Sequence, residues 1–219
     1  MKCIAPLILL VIFNLNNLFG QIPTIQDCLG AIPICKAVYT QASLPDGEGN
    51  YPNEINGVYD SGGWCCMDDE VNSVWYNFTA NNDGDFGFVL TPNDLSDDYD
   101  WALFDLTNAT CEDIYDTESL NISCNAAGSN SGTACDGVTG PDGSEPYHFQ
   151  GAGCNATNPS VSLGRNPFNA LVPVLKGNTY VLIVSNWKGQ GGFTIDFSLS
   201  VNTGIIDEIN PTIAKVAVP

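Results

Sequence analysis

The sequence predicts an all-β protein: a jelly-roll-like antiparallel β-sandwich with a long disulfide-braced insertion. Three observations carry that expectation. In residues 191–201, Phe193, Ile195, Phe197, Leu199 and Val201 alternate with Thr194, Asp196, Ser198 and Ser200, which is the two-residue period of a half-buried antiparallel strand. Other short apolar segments follow one another with Gly, Asn, Asp and Pro between them, and none sustains a 3.6-residue period, so helix should be scarce. The cysteines, set among polar, turn-rich segments, read as a disulfide framework.

The elements follow in order. Lys2 precedes an apolar stretch over residues 3–13, and a small residue, Gly20, stands before Gln21. Residues 1–20 therefore read as a secretory signal peptide, with an apolar core shorter than the roughly 20 residues of a spanning helix. No later stretch is longer, so a secreted or cell-surface chain with no membrane span is expected. The β-sandwich domain is assigned to residues 21–205. Its first part, 21–70, is rich in Pro, Gly, Asp and Asn and should be mostly irregular, with one short strand near 36–40. Strands are expected at 73–79, where Val74, Tyr76 and Phe78 share a face, at 85–90 and at 100–106. The insertion spans 107–170, with a strand at 120–124. Strands resume at 171–175 and at 179–185, the latter apolar on both faces and hence central. The turn at 186–191 leads into the final strand. Residues 206–219 read as a Pro-punctuated exit linker, implying a larger multidomain chain.

The chain holds 25 acidic and 6 basic residues, with a net charge of −19, and loss of the signal peptide removes Lys2 and no acid. Such a surface repels phosphate backbones, which excludes nucleic acid and anionic membranes as natural partners. Of nine cysteines, Cys3 leaves with the signal peptide. Cys111–Cys124 and Cys135–Cys154 are the favoured bridges, as neighbours separated by polar segments. Cys28, Cys35, Cys65 and Cys66 stay open, with crossed bridges from 28 and 35 preferred to a strained vicinal Cys65–Cys66 bond. Export and even parity predict no free thiol.

Acidic clusters mark the candidate metal site. Asp97, Asp98 and Asp100 precede the Trp101 strand, and in extended chain Asp98 and Asp100 face the same way roughly 7 Å apart. Asp68, Asp69 and Glu70 form a second group, which Glu54 and Asn56 join if the N-terminal segment folds back along the sheet. Clustered hard oxygen ligands outside the cell suit Ca²⁺. For hydrolysis, the single His148 lies in the insertion and no Gly-x-Ser-x-Gly elbow exists. No pair of carboxylates stands out as a glycosidase pair. Trp64, Trp101, Trp187, Tyr51, Tyr59 and Tyr147 are candidates for a sugar-stacking platform.

Several blocks are distinctive: Asp27-Cys28-Leu-Gly-Ala-Ile-Pro-Ile-Cys35, Asn72-Ser-Val-Trp-Tyr-Asn-Phe78, Asp98-Tyr-Asp-Trp-Ala-Leu-Phe-Asp105, Cys124-Asn125 and Gly177-Asn-Thr-Tyr-Val-Leu-Ile-Val-Ser-Asn186. Together they resemble the N-terminal module of large surface proteins from gliding bacteria with type IX secretion, a module that commonly precedes immunoglobulin-like or PKD-type repeats and a gliding-motility-associated C-terminal domain. More remotely, the Trp-Tyr-x-Phe, Asp-x-Asp and Gly-x-x-Tyr-x-Leu-x-Val blocks are similar to bacterial pre-peptidase C-terminal domains. That similarity implies a jelly roll, often calcium-bound, that assists binding rather than catalysis. The expected function is a non-enzymatic binding or adhesion module for an extracellular glycan or protein surface. The alternative is a secreted glycan-active hydrolase or its accessory carbohydrate-binding module.

Overall fold

The computed structural model describes residues 21–56, 67, 70–127, 137–151 and 166–206. The expected signal peptide, Cys65, Cys66, Cys135, Cys154, Asp68, Asp69, Tyr59, Trp64 and the expected linker beyond residue 206 lie outside the described residues. The strands are β1 (Ile32–Pro33), β2 (Val38–Ser43), β3 (Ser73–Thr79), β4 (Gly84–Phe86), β5 (Val89–Pro92), β6 (Tyr99–Asp105), β7 (Asn121–Ala126), β8 (Phe149–Gly151), β9 (Val172–Val174), β10 (Thr179–Asn186) and β11 (Gly191–Asp196). Among the described residues, helix occurs only as short 3-10 turns at Cys28–Gly30, Cys111–Ile114 and Glu118–Leu120. The all-β class is as expected.

Strand β10 sits where its two apolar faces require it, inside the larger sheet of order β1-β3-β10-β6-β7-β8. It pairs antiparallel with β3, Leu182 opposite Tyr76, and with β6, Leu182 opposite Leu103. Alternation then sorts the side chains. Val74, Tyr76, Phe78, Trp101, Leu103, Tyr180, Leu182 and Val184 enter one core with Tyr39, Leu90, Phe193 and Ile195 of the β2-β11-β5 sheet and with Phe197 just beyond it. Trp75, Ala102, Phe104, Val181 and Ile183 enter a second core, beneath the 3-10 turns that carry Cys28 and Ile114. The large sheet is thus covered by a smaller sheet on one face and by a layer of turns on the other. Aromatic contacts cross the first interface, Tyr39 to Tyr76 at 5.6 Å and Tyr99 to Phe193 at 5.3 Å between ring centroids. Each such buried ring contributes roughly 1.5–3 kcal/mol of transfer free energy.

Four expectations change. The sandwich is not wholly antiparallel, because β1 runs parallel to β3 and β8 parallel to β7; both are two- or three-residue edge strands delivered by irregular segments, which need no tight hairpin. The strand expected at 85–90 splits into β4, paired with β9, and β5, paired with β11. The break falls at Gly87, where an added Cβ would collide with the Leu171 side chain and the Pro141 carbonyl. The final strand ends at Asp196, whose Oδ1 accepts the Ser198 N–H at 2.9 Å. There the chain turns, the phase inverts, and Val201 emerges 50% exposed while the Ser200 hydroxyl donates inward to the Gly87 carbonyl at 2.8 Å. The insertion also contributes β8.

Buried amides tie that insertion to the sheet. Asn169, fully buried, donates from Nδ2 to the Cys124 carbonyl at 2.9 Å and to the His148 carbonyl at 2.7 Å, while its Oδ1 accepts from Asn125 Nδ2 at 2.7 Å. Replacing Asn169 with Ala removes these three bonds from a dry site, at about 0.5–1.5 kcal/mol each, although the His148 carbonyl keeps the Ser123 hydroxyl and the Asn125 amide keeps the Asn166 carbonyl. Chemical denaturation should show a loss on the order of 3 kcal/mol; a change under about 0.5 kcal/mol would contradict this network.

Candidate functional site

The N-terminal segment does fold back along the sheet. The Trp75 N–H donates to the Ile25 carbonyl at 2.8 Å and the Ser73 hydroxyl to the Gln26 carbonyl at 3.4 Å, laying residues 24–27 beside β3. Asp27, fully buried, then acts as a knot. Its Oδ1 accepts the N–H groups of Asn50 at 2.8 Å and Tyr51 at 2.7 Å, and its Oδ2 accepts the Thr24 N–H and, at 2.8 Å, the Thr24 hydroxyl. Four donors on this scale hold a carboxylate firmly without a cation. Gly49 stands at φ +83° against it, and a side chain there would run into the Asp27 carboxylate. So the segment around residues 50–54 is drawn against the 3-10 turn that Asp27 precedes.

Glu54 completes that turn, its Oε2 accepting the Cys28 N–H at 2.9 Å. Burial pushes the Glu54 carboxyl up to about 7, opposed by the Cys28 bond and reinforced by the neighbouring Asp27 charge. Glu70 lies deeper, at 1% exposure, with Oε1 accepting from the Trp75 indole N–H at 2.7 Å and the Ser73 hydroxyl at 3.3 Å. Burial pushes Glu70 up to about 8, the Trp75 bond opposes the shift, and the adjacent Glu54 carboxyl adds to it. Asp27, Glu54 and Glu70 are therefore neighbours: Asp27 is bonded through both oxygens, Glu54 is raised to about 7 and Glu70 to about 8.

The turn's other anchor is covalent. Cys28 is disulfide-bonded to Cys111, with Cα atoms 5.8 Å apart. Cys111 opens a second 3-10 turn, whose Asp113 Oδ2 accepts the Thr110 N–H at 2.7 Å and the Thr110 hydroxyl at 2.9 Å. Between the bridged turns and residues 50–54 lies an open cleft of about 330 Å³. Leu29, Tyr51, Pro52 and Tyr115 give it apolar and aromatic walls, and Glu54 and Glu112 are its charged groups. Leu29 and Tyr115 are 56% and 39% exposed.

The bridge corrects the expected Cys111–Cys124 pairing. Cys124 lies in β7 beside Ala102 and is disulfide-bonded, though not to Cys111, because Cys111 belongs to the layer of turns stacked over the sheet. Cys35 departs from the fully paired framework, being an exposed free thiol whose N–H donates to the Tyr39 hydroxyl at 2.8 Å. Iodoacetamide applied to the folded protein should therefore label Cys35, as read by peptide mass. An unmodified Cys35 peptide would contradict this assignment.

Of the acids expected to bind metal, Asp68 and Asp69 lie outside the described residues. Asp98 is buried, Asp97 and Asp100 half-buried, and the Asp97 carboxyl packs against Gly191. Asp94 serves as a local cap, accepting the Ser96 N–H and hydroxyl, while Lys188 donates to the Ser96 carbonyl at 2.6 Å. Glu70 is paired with Glu54 rather than grouped with these residues. Among the described residues no group of three or more His, Cys, Asp or Glu could hold a metal ion. His148 borders a separate cleft with Asp105, Asn178, Tyr180 and apolar side chains, where no serine or cysteine lines the wall. Of the expected aromatic platform, Trp101 is a core residue bonded to Thr139 at 3.1 Å, while Trp187 and Tyr147 are exposed at separate positions and Tyr51 lines the cleft.

Sequence reasoning placed Glu54 beside Glu70 and missed Leu29, Glu112 and Tyr115 as cleft residues and Asp27 as the knot behind them. A signal existed at Thr110-Cys-Glu-Asp113, the capping spacing of a helical turn that opens at a cysteine. Among the described residues no helix is long and apolar enough to cross a membrane, and the disulfide is of the kind that oxidising compartments maintain. No protein-family model matches the chain, and no curated protein matches its sequence.

Proposed function

We propose that the protein is a non-enzymatic extracellular module that binds a glycan in the cleft between its bridged 3-10 turns, serving adhesion or surface recognition. The observation that carries the reading is the cleft itself: a concave site braced by the Cys28–Cys111 bond and the Asp27 knot, with Leu29 and Tyr115 left partly open to solvent on its wall. Exposed tyrosines stack on the apolar face of a sugar ring, and the Asn50 and Asn53 amides that share the lining are suited to its hydroxyls. Rigidity here lowers the cost of ordering a site on binding. The resemblance to surface-protein modules of gliding bacteria points the same way.

A glycan array run beside hydrolysis assays tests the proposal. Retention of a defined set of glycans without turnover is the expected result. Turnover of any polysaccharide would replace the binding reading with a hydrolase, and an array without a single bound glycan would overturn it.

A further inference from the structure

The cleft has a one-sided charge. Glu54 and Glu112 line it, Asp27 and Glu70 stand behind Glu54, and no lysine or arginine is among its lining residues. The other titratable side chains facing it are Tyr51 and Tyr115. Ionised Glu54 therefore has the Cys28 N–H as its favourable partner, through Oε2, and a ligand would take Oε1. Anionic sugars meet the like charges of Glu54 and Glu112 and of a chain with net charge −19. A cation on the ligand gains from both carboxylates and from the face of Tyr115.

Resting on the glycan reading above, we infer that the cleft selects amino sugars, seating a free ammonium group between Glu54 and Glu112 with the sugar ring against Tyr115. N-acetylation removes that charge and with it the selection. Bound ammonium also favours ionised Glu54, so association below neutral pH releases a proton from this carboxyl.

Isothermal titration at pH 6.5 with a trimer of glucosamine, the fully N-acetylated trimer and lysine amide tests the assignment. The free-amine trimer should bind at least tenfold more tightly than the acetylated one, with proton release read from buffers of different ionisation enthalpy. Lysine amide, which has the charge without the ring, should bind more weakly than the amino sugar. Glu54→Gln should abolish the proton release and the preference, while Glu112→Gln, at an exposed position, should reduce the preference by a few-fold with the fold intact. Equal binding of the two trimers, or an unchanged preference in Glu54→Gln protein of normal melting temperature, would overturn the ammonium assignment while leaving the glycan reading in place. Failure of both trimers beside a blank array would overturn the two together.

Discussion

Replacing Cys28 and Cys111 together by serine should destabilise the protein by about 4–5 kcal/mol, the chain-entropy value for freeing a loop of this length. The bridge spans 83 residues of sequence, enclosing β1 to β6, so the unfolded chain regains a great deal of freedom when it is absent. In the folded state the bond fastens the two 3-10 turns to each other over the second core, where Cys28, Ile114, Trp75 and Phe104 meet. Its loss therefore loosens the layer that forms the cleft wall. For a domain of this size the melting temperature should fall by roughly 10 °C or more. The serine variant is preferable to reductant, because Cys124 is also disulfide-bonded and a thiol would open both bonds. A fall of less than about 3 °C would show that packing alone holds the turns in place.

Stability should also decline as pH rises from 5 to 8.5, opposite to the usual behaviour of bonded carboxylates. Glu54 and Glu70 are raised from the ordinary 4.5 to about 7 and about 8. Between those limits the folded protein holds protons that the unfolded chain has released. Their contribution is complete below about pH 4.5 and is lost as pH climbs through 7 and then 8. At about 1.4 kcal/mol for each unit of displacement, Glu70 accounts for on the order of 5 kcal/mol, and Glu54, partly open to solvent, adds less. Denaturant melts at pH 5.5 and 8.5 should differ by several kcal/mol at matched ionic strength. Glu70→Gln should remove most of that difference, since a neutral amide retains an acceptor for the Trp75 indole N–H. A pH dependence identical in wild type and Glu70→Gln would mean that Glu70 does not titrate in this window.

The large sheet was legible because its strands carry their own instructions. Strand β3 falls on its expected bounds and β10 runs one residue past them, since aromatic and β-branched residues on both faces admit only a central, doubly covered position. Strand β11 was overestimated for a local reason: Leu199 and Val201 keep the apolar period, but the Asp196 side chain captures the Ser198 N–H and ends the strand. The Cys111–Cys124 bridge was misread because proximity in sequence says little about which layer a segment joins. Residues 111 and 124 are close along the chain, yet one lies in a turn over the sheet and the other within it. The acid site was half legible. Glu70 stands five residues before Trp75, whose buried indole needs an acceptor, and Glu54 was its expected neighbour. The role of Asp27 depended on where residues 50 and 51 return, a long-range contact that no local pattern encodes.

The cleft as the ligand site is tested most directly by Tyr115→Ala. Tyr115 is exposed on the cleft wall, just beyond a 3-10 turn anchored by the Cys28–Cys111 bridge and Asp113, so its removal should change the melting temperature by no more than a few degrees, as expected of a surface substitution. Affinity for the best glycan from the array should fall at least tenfold, on the scale of one lost stacking contact. Unchanged affinity in a normally folded Tyr115→Ala protein would place glycan binding elsewhere on the molecule and contradict the site described here.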